Sequence, residues 1–186
     1  EIGDDKVKNI QRVCKSIDVI GINSYGGAPT LHERYLKQGG TKPYIVTEVG
    51  PLGPWEVPKT RWGAPMEQTS TEKAAFYRSA YLAAVQNSKG LCLGSYAFLW
   101  GEKQEATATW FGMLLPDGTA LPPVDVMTEF WTGKSRRDKA PEIQSVSVTA
   151  SDFLTPGQRV KAVVQAKDPE GAPLNIRWVI YDEAKV

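Results

Sequence analysis

The stretch Lys42-Pro-Tyr-Ile-Val-Thr-Glu-Val-Gly50 decides how the rest of this chain is read. From Pro43 to Val49 it forms an almost continuous apolar run, the pattern of a strand buried on both faces of a parallel sheet. Gly50-Pro-Leu-Gly-Pro54 closes it with turn residues. Working upstream, Asp18-Val-Ile-Gly-Ile-Asn23 is a second short apolar run, ended by Ser24-Tyr-Gly-Gly27. A helix is expected between the two, from about residue 30 to 38, stopping at Gly39-Gly40. Before it, Val7, Ile10, Val13, Cys14 and Ile17 fall at helical spacing and predict an amphipathic helix over 5–17. Downstream, Thr69-Ser-Thr-Glu72 has the form of a capping box and opens a helix to about residue 88. Leu91 to Trp100 reads as a third buried strand, and a fourth helix is expected from about Pro123 to Trp131 before Gly133. Helices alternating with strands in this way predict an α/β fold with parallel strands and crossover helices.

The texture changes after residue 133. Residues 134–141 are charged, end in Ala-Pro and read as a linker. Beyond them, Ile143 to Thr149, Val160 to Ala166 and Leu174 to Ile180 alternate apolar with polar residues, and Thr-Pro-Gly and Asp-Pro-Glu-Gly turns separate them. Residues 142–186 are therefore expected to be the start of an all-β sandwich, a fold that needs about seven strands. The sequence begins at Glu1 rather than Met and stops at Val186 in the middle of what reads as a strand, so it is read as a piece of a longer chain.

Composition narrows the function. The chain has 186 residues, 41% hydrophobic and 23% charged, and its 22 basic and 21 acidic residues leave a net charge of +1. Disordered and collagen-like classes are excluded, and binding to nucleic acid through bulk charge is not expected. No run of about 18 apolar residues predicts a membrane span. Cys14 and Cys92 stand outside any CxxC motif and read as small buried apolar residues. The single histidine, His32, sits at a helix start beside Glu33 and Arg34 and reads as a surface residue. Ser/His/Asp, Cys/His and histidine-based metal sites cannot be assembled from this set, and neither Gly26-Gly27 nor Gly39-Gly40 belongs to a phosphate loop. No cofactor or metal is expected.

Glu48 is the first candidate for chemistry. It lies near the carboxyl end of an apolar strand, where a carboxylate pays desolvation unless it is paired or used, and where α/β folds assemble their active sites. Asn23 and Tyr25 end the preceding strand and Trp100 the following one, so all three are expected on the same side as Glu48. A tyrosine hydroxyl can donate to a carboxylate, and an indole face suits the C–H surface of a sugar ring. Trp55, Trp62 and Trp110 lie in the intervening loops, where exposed aromatics serve flat amphipathic ligands such as carbohydrates. Glu102, Gln104 and Glu105 follow Trp100 and read as a solvated polar loop with hydroxyl-binding capacity.

Taken together, Lys42–Gly50, Asp18–Tyr25 and Gly94-Ser-Tyr-Ala-Phe-Leu-Trp100 resemble the last three strands of a clan A glycoside hydrolase barrel. The resemblance covers about residues 1–133. It implies the last three βα units of a (β/α)8 TIM barrel, with Glu48 as nucleophile of a retaining hydrolase, Tyr25 as its hydrogen-bonding neighbour and Trp100 as the floor of the subsite for the reacting sugar. Asn23, Trp55 and Trp62 are the further substrate-binding candidates. The family's acid/base glutamate follows an asparagine, and no Asn-Glu dipeptide occurs in this sequence. The piece alone is therefore expected to be inactive, with the upstream part of its own chain as its partner and an oligo- or polysaccharide as substrate. Residues from Ala140 onward resemble an immunoglobulin-like or PKD-like accessory module, which implies an extracellular or periplasmic enzyme. A transglycosylase using the same chemistry and a carbohydrate-binding pseudoenzyme are the alternatives.

Overall fold

A computed structural model describes residues 1–88, 90–150 and 153–182. Its centre is an open three-stranded parallel sheet of β1 (Ile20–Ser24), β2 (Tyr44–Val49) and β3 (Cys92–Ala97), in that order. The helices are α1 (Lys6–Val13), α2 (Leu31–Lys37), α3 (Ser70–Ala84) and α4 (Pro122–Thr132). The expected alternation is therefore present, with β2 in the middle of the sheet.

Local chemistry explains where the elements stop. The helix expected over 5–17 ends at Val13, because the Lys42 ammonium takes the carbonyls of Lys15, at 3.0 Å, and Ile17. The lysine that opens the decisive stretch thus holds the chain just past the helix three elements earlier. At the start of α3 the capping box forms as read: Thr69 Oγ1 accepts from Glu72 N at 3.2 Å, and Glu72 Oε2 accepts from Thr69 N at 2.8 Å. Gly133, at φ 69°, ends α4 in the left-handed region that a side chain disfavours.

Strand alternation sorts the side chains. Ile20, Ile22, Tyr44, Val46 and Val49 point to one face and pack with Val7, Leu31, Tyr35, Ala80 and Ala84 into the main core. Tyr35 and Tyr44 meet there with ring centroids 4.8 Å apart. A second core joins α3 to α4 through Ala74, Tyr77, Met113, Val124 and Met127.

The other face of the sheet is open. Gly21, Asn23 and Thr47 are exposed, and Leu93 and Tyr96 are 59% and 67% accessible. The expectation of strands buried on both faces is thus corrected, since helices cover only one side. The third strand is also shorter than expected and has no fully buried residue. It ends at Ala97 because the chain then turns to pair with a loop: Leu99 N donates to Phe111 O at 3.0 Å, and Met113 N donates to Leu99 O at 3.2 Å. Phe98 N still donates to Val49 O of β2 at 2.7 Å, and Leu99 and Trp100 leave the sheet. Cys14 and Cys92 are unpaired and half-buried rather than buried.

The carboxyl-terminal region contributes an antiparallel pair, β4 (Glu142–Thr149) and β5 (Lys161–Lys167), with Glu142 opposite Lys167. The strand expected over 174–180 is not formed. Asp168 closes a tight turn by accepting from Glu170 N and Ala172 N through its carboxylate, at 2.9 and 3.0 Å, and the chain beyond runs without ladder pairing. Among the described residues, this region is a two-stranded ribbon rather than a sandwich. The segment before it is anchored to α4, where Asp125 accepts from Arg136 Nη1 at 2.8 Å and from Ala140 N at 2.9 Å. Thr71 of α3 in turn accepts from Ile143 N at 2.7 Å.

No helix among the described residues is long and apolar enough to cross a membrane. Because both halves of the capping box are in place, Thr69→Ala is expected to destabilise the protein by about 1 kcal/mol. A urea-denaturation midpoint for the full-length protein measures this directly.

Candidate functional site

The site forms where the three parallel strands end. Asn23 stands opposite Glu48 in the β1–β2 register, after a shift between Ile22 and Asn23 that advances the end of β1 by one position. That irregularity decides which side chains converge, since a one-residue slip turns a strand's side chains to the opposite face.

Tyr25, the first residue beyond β1, donates its hydroxyl to Glu48 Oε2 at 2.7 Å. Its ring is held on three sides: edge-on against Trp55 and Phe98, with centroids 5.5 and 5.9 Å away, and tilted against Phe111 at 5.3 Å. Gly50, immediately after β2, makes room for it. A Cβ there would lie 2.8 Å from the Phe98 carbonyl oxygen and 3.0 Å from the Tyr25 ring. Burial first, and the bond to Glu48 second, push the Tyr25 phenol well above the ordinary tyrosine range. Tyr25 therefore stays protonated and remains a donor at neutral pH. Glu48 itself is half-buried.

The other expected residues occupy distinct places. Asn23 is exposed, and its Oδ1 accepts from the Thr47 hydroxyl at 2.6 Å, so it braces Thr47. Trp100 is 56% accessible and lies beside Trp131, with ring centroids 6.1 Å apart, giving two adjacent indoles just past β3. Trp55 keeps most of its surface exposed while one edge packs on Tyr25. Trp62 is exposed near the tip of a small hairpin, in which Thr60 N donates to Ala64 O at 2.8 Å. Glu102 and Gln104 are exposed, and Glu105 pairs with Lys103 at 2.6 Å.

Trp110 corrects an expectation. It is buried rather than offered to a ligand, and its Nε1 donates to Leu52 O at 2.9 Å. A buried indole needs an acceptor, and here the acceptor is the loop after β2, so Trp110 joins the two loops that surround the site.

Several residues that shape the site escaped the sequence reading. Phe98 and Phe111 wall in Tyr25, and the Tyr77 hydroxyl donates to Phe98 O. Beneath them, the buried Lys73 of α3 bonds the Glu67 carboxylate and, at 2.7 Å, Thr109 O. Glu67 also accepts from the hydroxyls of Thr107 and Thr109. Burial lowers the pKa of the Lys73 ammonium, and the attraction of Glu67 opposes that shift. The available signal was positional: Lys73, Tyr77, Ala80 and Ala84 share the buried stripe of α3, where a lysine needs a partner.

No group of three or more potential metal ligands occurs among the described residues. No protein-family model and no curated protein matches the chain. Fold and site together define a mixed α/β protein with a tyrosine-bonded carboxylate at the carboxyl end of a parallel sheet.

Glu67→Gln leaves Lys73 buried without its counter-charge and is expected to cost about 3 kcal/mol in urea denaturation. For Tyr25 the sign follows from a folded pKa raised above the unfolded value. Its contribution to stability is complete below the unfolded pKa of about 10 and declines at higher pH. Tyr25→Phe should accordingly leave the phenolate absorbance titration of the folded protein unchanged up to about pH 11.

Proposed function

We propose that this chain carries the nucleophilic half of a retaining glycoside hydrolase acting on a β-linked glycan. In this reading residues 1–133 are the last three βα units of a (β/α)8 barrel and the β-ribbon belongs to an accessory module. The Tyr25 hydroxyl on Glu48 Oε2 is the observation that carries the reading. It presents a carboxylate at the end of a parallel strand, oriented by a donor that stays protonated.

The chemistry proceeds in two displacements. Glu48 attacks the anomeric carbon, the bond to the leaving oxygen breaks as that oxygen receives a proton from a second carboxyl, and a glycosyl ester forms on Glu48. Water, or a sugar hydroxyl in a transglycosylase, then gives its proton to the second carboxylate and displaces the ester. Tyr25 bonds one carboxylate oxygen throughout and leaves the other for attack. Trp100 forms the floor for the reacting sugar, while Asn23, Trp55 and Trp62 contact the glycan on either side.

Retaining chemistry requires the two carboxyls about 5–5.5 Å apart. The second is assigned to chain outside this sequence, in strands that would pair with the free edges of β1 and β3 and close the barrel around the face carrying Leu93 and Tyr96. An extracellular or periplasmic setting accompanies this reading.

Treatment of the full-length protein with 2-deoxy-2-fluoro glycosides bearing good leaving groups is expected to add one sugar mass to the peptide containing Glu48. Glu48→Gln should abolish the adduct and lower turnover at least about 10³-fold. A folded protein that binds oligosaccharide yet forms no adduct with any sugar of the panel would replace the enzyme by a carbohydrate-binding protein.

A further inference from the structure

We infer that Glu56 is a positioning residue for the Tyr25–Glu48 pair, an inference that rests on the role proposed for that pair. Glu56 lies in the loop after β2, and both its carboxylate oxygens are engaged by backbone. Oε1 and Oε2 accept from Gly26 N at 3.1 and 3.0 Å, and Oε2 also accepts from Gly53 N at 2.8 Å. The Glu56 amide donates back to Gly53 O at 2.9 Å, closing residues 53–56 into a turn. One side chain therefore ties the residue that follows Tyr25 to the turn that carries Trp55.

Two glycines make this strap possible. A Cβ on Gly26 would sit 2.8 Å from Glu56 Oε1, and one on Gly53 would sit 2.5 Å from the Trp55 ring. Their absence lets the carboxylate and the indole lie directly on the backbone. Trp55 is then presented edge-on to the Tyr25 ring at 5.5 Å, and Tyr25 reaches Glu48. Glu56 thus fixes the backbone on both sides of the phenol whose direction sets the donor on Glu48.

Glu56 is exposed and contributes to none of the hydrophobic clusters. Its loss should therefore loosen the Tyr25 turn without unfolding the protein. The effect expected at the reacting centre is large for so small a change, because displacements near 1 Å at a reacting group cost up to about 10²-fold in rate.

The test uses full-length protein labelled with 3-fluorotyrosine, with the Tyr25 ¹⁹F resonance assigned by its disappearance in Tyr25→Phe. Glu48→Gln supplies a reference for the altered phenol contact. In Glu56→Ala the Tyr25 resonance should move or broaden, and Glu48 labelling by the fluoroglycoside should slow about 10- to 100-fold. Glu56→Gln, whose single amide oxygen can accept from both Gly26 N and Gly53 N, should restore the resonance and most of the rate. Gly26→Ala, which places a methyl where the carboxylate lies, should reproduce the displaced resonance and serves if Glu56→Ala does not fold.

An unmoved Tyr25 resonance in folded Glu56→Ala overturns the inference, as does a wild-type labelling rate in that variant. If the unmodified protein takes no adduct at all, the glycosidase reading fails. The Tyr25 resonance then still decides whether Glu56 orients the phenol.

Discussion

Parallel pairing of Tyr44–Val49 with a strand on each side is the constraint on which this structure depends. It sends Tyr44, Val46 and Val49 into the helix layer, where they meet Tyr35, Leu31 and the alanines of α3. It also brings the carboxyl ends of three strands to one edge, so that residues far apart in sequence become neighbours. Asn23, Glu48 and the segment beyond Ala97 owe their proximity to that shared direction. An antiparallel neighbour would instead have brought a strand's amino end beside Glu48.

The loops at that edge are held by polar groups that bridge them. Lys73 and Glu67 join α3 to the segment containing Thr107 and Thr109, and Trp110 reaches Leu52. Desolvating Lys73 is unfavourable, and the charge-assisted bonds to Glu67 and the Thr109 carbonyl offset that cost only in this arrangement. The pair therefore specifies loop geometry more than it adds stability. Above it, Phe98, Phe111 and Trp55 confine the Tyr25 ring, leaving its hydroxyl to meet Glu48.

The division between exposed and buried aromatics bears on ligand recognition. Trp100, Trp55 and Trp62 retain more than half of their surface, whereas Trp110 is spent on packing. All four sit in similar loop contexts, and the indole of Trp110 is turned inward to the carbonyl of Leu52. In the glycosidase reading proposed above, these exposed indoles are the surfaces that would meet the C–H faces of sugar rings. The Trp100–Trp131 pair extends that surface toward α4.

Much was legible in the sequence because it is written in local patterns. The order of helices and strands, the Thr69–Glu72 cap and the place of Glu48 near a strand end follow from periodicity and turn residues that act within a few positions. Features that depend on distant partners were not legible. The early end of α1 awaits Lys42, the register shift at Asn23 awaits β2, and the Leu174–Ile180 run alternates like a strand but joins no ladder. The sequence alone determined which segments could be helix or strand and that Glu48 would lie near the carboxyl end of one of them. Only the tertiary structure decided that Phe98, Phe111 and Trp55 enclose the Tyr25 ring, that Trp110 is interior and that one sheet face stays open. Local propensity follows from neighbours along the chain, whereas these outcomes depend on which remote groups meet.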